Sequence, residues 1–160
     1  MSLNKYLPHV YVLPEDDANR QLANGFGLDL TLATRKIQVL EEAGGWEEVL
    51  RRFQAEHIAE MMRLPNRFMV LLIDFDGRQD RMERVRAAIP EPLAERVFVL
   101  GAQTEPEELR PSLGSYETIG LALARDCRDG TDATWRHPLL NHNAAELNRL
   151  RNQVRPFLFP

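Results

Sequence analysis

The stretch RFMVLLIDFDG, Arg67 to Gly77, decides the fold. Its apolar run from Phe68 to Ile73 lacks polar alternation, the pattern of a strand buried on both faces of a parallel sheet. The run stops at two aspartates, Asp74 and Asp76, with Gly77 directly after. Asp and Gly commonly end strands and begin turns, so Asp76-Gly77 reads in part as a turn. Carboxylates at a buried strand's end also stand where open α/β sheets keep their sites.

Working outward, HVYVL (His9 to Leu13) is a short β-branched and aromatic run ended by Pro14, and RVFVLG (Arg96 to Gly101) is another apolar strand. RKIQVLE (Arg35 to Glu41) reads as a further strand. Between them lie segments of helical period: EDDANRQLANGF, the long WEEVLRRFQAEHIAEMMRL before Pro65, and RQDRMERVRAAI. Strand and helix therefore alternate, which predicts an α/β fold with a parallel sheet of about four strands flanked by helices. Beyond Gly101 the strands give out. EPEELRPSL, SYETIGLALARDC and NAAELNRLRNQV look helical, with RDGTDATWRHP as a loop. The expectation is one domain over 1–160, with an α/β core over 9–101 and a helical C-terminal third over 102–160.

Composition narrows the classes. A net charge of −4 gives no overall basic footprint, so any contact with nucleic acid must be local. Only Lys5 and Lys36 are lysines among the 20 basic residues, and no lysine follows position 36. The lone Cys127 excludes an intrachain disulfide. The N-terminus has no secretory layout, and no apolar run approaches the roughly 20 residues of a membrane span. A cytoplasmic protein without a membrane partner is expected.

In a parallel sheet every strand delivers its C-terminal end to the same edge. Glu15, Asp16 and Asp17 follow the first strand, Asp74 and Asp76 the third, and Glu105 and Glu107 the fourth. Carboxylates so crowded repel unless a cation lies between them, and hard oxygen donors suit Mg²⁺. A divalent metal site, Mg²⁺ or Mn²⁺, is predicted at that rim. Asp16, Asp17, Glu105 and Glu107 have a plainer reading as acids in the first turns of helices.

A glutamate just after the first strand and Asp-x-Asp at the end of the third resemble the Toprim domain of topoisomerases, primases and related nucleases. The resemblance covers about Val10 to Gly101. It implies Glu15 as the family glutamate, a general acid or base in phosphoryl transfer, and Asp74 and Asp76 as the Mg²⁺-binding pair; Asp16, Glu105 and Glu107 are candidate auxiliary acids from their place at the same rim. Asp16 stands where the family usually has glycine, and Gly77 follows Asp76 at once. The implied activity is metal-dependent phosphodiester cleavage on nucleic acid. The competing reading is a non-catalytic Toprim-like component of a larger assembly.

LLIDFDG is also similar to the nucleophile motif of haloacid-dehalogenase-like phosphatases, and the placement of acids is similar to that of response-regulator receivers. The first family needs a later cationic residue, usually lysine and only exceptionally arginine, and the second a signature lysine at its fifth strand; no lysine follows the motif here. Arg78, Arg81 and Arg84 recur every three residues beside the aspartates, where they can hold a phosphate or form a solvated face paired with Asp80 and Glu83. His57 reads as a packed residue of its helix. TWRHPLLNHN reads as a cap in which Trp135 packs on the body. The apolar tail Arg155 to Pro160 is expected to dock on its own body or on another subunit, giving a protein partner or homo-oligomer.

Overall fold

The computed structural model describes residues 3–160. In chain order, the elements begin with β1 (His9–Pro14), α1 (Asp17–Phe26) and β2 (Ile37–Val39). A long helix follows, α2 (Trp46–Arg52) running through a π turn (Phe53–His57) into α3 (Ile58–Arg63), then β3 (Arg67–Leu72), α4 (Gln79–Ala87) and β4 (Val97–Leu100). The remainder is helical: α5 (Arg110–Leu113), α6 (Tyr116–Asp129), α7 (Ala144–Gln153) and α8 (Arg155–Leu158). The α/β alternation and the helical C-terminal segment are as the sequence predicts.

All four strands are parallel, in the order β2-β1-β3-β4. The chain steps from β1 outward to β2, then returns past β1 to β3, so the direction of winding reverses between the two central strands. Side chains alternate across the sheet. Val10, Val12, Val70, Phe98 and Leu100 pack on one face against α1, α6, α7 and α8. Leu13, Met69, Leu71, Ile73, Val97 and Val99 pack on the other against the α2–α3 helix and α4. Both faces are covered, which is why β3 and β4 carry no polar alternation. Fully buried side chains such as Phe53 and Phe98 each stabilise the fold by about 1.5–3 kcal/mol.

Two elements differ from their sequence readings. Strand β2 is confined to Ile37–Val39, because Thr34–Lys36 close a 3₁₀ turn before it and the strand pairs on one side only. EPEELRPSL breaks into a 3₁₀ turn (Pro106–Leu109) and the four-residue α5, whose Pro111 has no N–H to continue a helix. The long helix contains the π turn, in which Ile58 N–H reaches back to the Phe53 carbonyl.

The C-terminal segment covers the open edge at β4. Glu146 accepts the Val99 N–H at 2.9 Å, and the Asn143 side chain accepts from Gly101 N–H at 3.2 Å and donates to the Gly101 carbonyl at 3.0 Å. Unpaired edge groups thus find side-chain partners in place of a fifth strand. The tail docks on its own body: Phe157 packs by Phe68, Phe159 by Phe26, and Ala33 N–H bonds the Leu158 carbonyl at 2.8 Å. Trp135 is buried, with its indole N–H on the Leu123 carbonyl. Cys127 is a core residue, its thiol pushed up to about 11 by burial. Among the described residues, no helix is long and apolar enough to cross a membrane.

Candidate metal centre

Parallel central strands place their carboxyl ends side by side. Pro14 pairs with Leu72 in the β1–β3 register, so Glu15 and Asp74 emerge as neighbours where the winding reverses. That crevice is where open α/β sheets bind ligands. The backbone holds it closely. Glu15 N–H bonds the Leu72 carbonyl at 2.9 Å, and the Glu15 carbonyl accepts from Gly44 and Gly45 N–H at 2.8 and 3.2 Å. Beyond β3 the chain stays paired with the segment after β4, through Ile73 to Leu100, Phe75 to Ala102 and Gly77 to Gln103. Gly101 permits this, since a Cβ there would lie 1.6 Å from the Ile73 carbonyl oxygen.

Three carboxylates meet in the crevice. Oxygens of Glu15, Asp16 and Asp74 lie within 4.8 Å of one another. Glu15 accepts the Asp74 backbone N–H at 3.0 Å. Asp16 caps α1, accepting the Asn19 N–H at 2.9 Å, and its plainer reading as a helix-terminal acid therefore holds alongside its place in the group. Asn19, wholly buried, donates its side-chain amide to Asp16 at 2.9 Å and to Asp74 at 2.8 Å, tying the two together. Sequence reading missed Asn19. Its one signal was the Asp-x-x-Asn spacing at a helix start, which places the two side chains on one turn.

The other acids and the arginines are placed differently. Asp76 and Gly77 both have positive φ, 49° and 68°, and Arg78 N–H closes the turn on the Phe75 carbonyl at 2.8 Å. Asp76 is not in the three-carboxylate group; its half-exposed side chain pairs with Arg81 at 3.1 Å. Arg81 is buried, donates to the Asp74 carbonyl at 2.6 Å and lies over the Trp46 ring, as does Arg84. It buttresses the loop. Arg78 forms an exposed pair with Asp80. Glu105 and Glu107 stand further out on the rim, near enough that Glu107 raises the pKa of Glu105 and adds to the field at Asp74. His142 packs edge-on to Phe75, with ring centroids 5.2 Å apart.

Electrostatics mark Asp74 as the focal group. Burial first, and then the charges of Glu15, Asp16 and Glu107, push its carboxyl up to about 8, against the hydrogen bond from Asn19. Burial likewise raises Glu15, with Asp16 and Asp76 adding to it. Without a cation the group retains a proton near neutral pH. The donor set fits a hard divalent cation: three carboxylates with oxygens within 4.8 Å of one another, and no sulfur or imidazole among them.

No family model matches the chain, and neither a curated protein nor a solved structure matches it. Fold and site define the class: a doubly wound parallel α/β protein with a possible acidic metal-binding group at its topological switch point.

Proposed function

We propose that this protein is a divergent Toprim-like, Mg²⁺- or Mn²⁺-dependent enzyme that cleaves phosphodiester bonds of nucleic acid. The observation that carries the reading is the convergence of Glu15, Asp16 and Asp74 at the β1–β3 switch point, with Asp74 shifted up to about 8. Asp74 is the principal ligand, with Asp16 and Glu15 beside it. When bound, the cation neutralises charge that develops on the phosphodiester. Glu15, whose carboxyl pKa burial raises, is the group placed to exchange a proton with the attacking or leaving oxygen. Asn19 fixes the rotamers of Asp16 and Asp74, and Arg81 fixes the loop that carries Asp74.

Incubation of the purified protein with single- and double-stranded DNA and RNA tests this. Cleavage is expected with Mg²⁺ or Mn²⁺ and none with chelator, and Asp74→Asn or Glu15→Gln should abolish it in folded protein. Metal-independent cleavage, or cleavage that survives Asp74→Asn, counts against the reading.

A receiver-like role draws on one specific feature, two acids after β1 facing an aspartate after β3. Four strands and no lysine after Lys36 stand against it. Treatment with acetyl phosphate and Mg²⁺ should therefore leave the protein mass unchanged; a stable aspartyl-phosphate at Asp74 would favour the receiver.

A further inference from the structure

The opposite edge of the sheet carries a feature that the acidic site does not use. Arg67 begins β3 and is buried, yet its partners are all neutral. Its Nε donates to His9 Nε2 at 3.0 Å, its Nη2 donates to the Tyr11 hydroxyl at 3.0 Å, and its guanidinium lies 4.0 Å from the Tyr11 ring centroid. His9 is held neutral with its Nδ1–H on the Leu7 carbonyl at 2.7 Å, so its Nε2 lone pair accepts from Arg67. Arg67 makes no ion pair among the described residues. A buried cation ordinarily has a carboxylate against it, because desolvation without a counter-charge is costly. The charge is felt on both sides: burial, with Arg67 adding to it, lowers the pKa of His9 on β1 and of His57 on the overlying helix.

Arg67 lines an open groove of about 510 Å³ together with Lys5, Tyr11, Thr34 and Gln38. Among the described residues, no carboxylate lines it. Two cations, two hydroxyls and an amide line it, and a guanidinium with N–H donors beyond those given to His9 and Tyr11 presents a fork that matches tetrahedral oxyanions. The groove lies at the N-terminal ends of β1 and β3, the far edge of the sheet from Asp74. It is independent of the proposed metal centre.

We infer that this groove is an oxyanion site that takes a phosphate group, free or as an ester, between Arg67 and Lys5. The dianion supplies the counter-charge that Arg67 lacks, while Thr34 and Gln38 offer further donors. Carboxylate ligands share the charge but not the tetrahedral dianion.

The test titrates metal-free protein with inorganic phosphate at constant ionic strength and slightly alkaline pH, followed by amide NMR and calorimetry, with acetate as a parallel arm. Saturable one-site binding is expected, with shifts centred on Lys5, Tyr11, Gln38 and Arg67, and a rise in the His9 imidazole pKa as Arg67 is neutralised. Lys5→Gln, an exposed change, should weaken phosphate several-fold and leave divalent-metal binding intact. Arg67→Lys should weaken it also by removing the fork, and Asp74→Asn should leave it unchanged. Absence of saturation, shifts centred elsewhere, equal affinity for acetate, or undiminished binding in folded Lys5→Gln would each overturn the inference.

Discussion

At Asp74 the demands of folding and of binding oppose each other. A carboxyl raised from 3.8 to about 8 is more easily protonated in the folded chain than in the unfolded one. The folded state therefore holds the extra proton between those values, and the stability of metal-free protein falls as pH rises across that window. Asp74→Asn removes the repulsion, so its metal-free form should melt a few degrees above the parent at slightly alkaline pH while losing cation binding; a lower melting point would contradict the electrostatic picture. Because a cation must displace the proton, Mn²⁺ affinity should rise by up to about tenfold per pH unit below 8, with proton release seen by calorimetry in buffers of different ionisation heat. His9 works in the other sense. Its lowered pKa means that stability is retained above 6.5 and declines as pH falls below it, since a protonated ring would turn a second donor on Arg67. Arg81→Ala should cost roughly 2–3 kcal/mol through the lost charged hydrogen bond to the Asp74 carbonyl. Denaturant unfolding of that variant measures it, and an unchanged midpoint would show Arg81 to be dispensable. Asp74 and Glu15 were legible as site candidates because strand ends and acids are both local signals. Asn19 and the buried role of Arg81 were not, since they depend on how α1 and α4 turn their faces once packed.

At the scale of elements, α1 is the piece that connects packing to chemistry. It carries Asp16 at its cap and Asn19 in its first turn, and it lies backbone-close against α6. A Cβ at Gly120 would sit 2.1 Å from the Leu22 carbonyl oxygen and 2.7 Å from Phe26 N. Gly120→Ala must push the helices apart, at a cost on the order of 2–3 kcal/mol. The shift should also weaken Mn²⁺ binding, because Asp16 and Asn19 move with α1; a variant that loses stability with unchanged affinity would show the site to be insulated from that contact. The strands were readable because β3 and β4 are continuous apolar runs. The limits of β2 were not, as an edge strand of three residues leaves little pattern. Nor did periodicity separate the π turn from the α-helix around it, since His57, four residues after Phe53, continues the helical spacing in the sequence.

For the molecule as a whole, the sheet has two chemically opposed edges. Acids gather at the carboxyl ends of the strands, whereas Arg67 and Lys5 stand at the other edge. Doubly wound topology explains the first, because it alone brings Glu15 beside Asp74 across 59 residues of chain. The alternation of strand and helix made that topology accessible from sequence; the role of the C-terminal segment as an edge cover did not emerge from it, because the bonds of Asn143 and Glu146 to β4 span more than 40 residues. The central claim is that Glu15, Asp16 and Asp74 form one divalent-cation site. A Mn²⁺ titration of the parent and of Asp74→Asn, read by calorimetry at slightly alkaline pH, tests it most directly. One saturable site per chain in the parent, lost in a folded Asp74→Asn variant, is the predicted result; no saturable binding in the parent, or equal binding in the two, would contradict it.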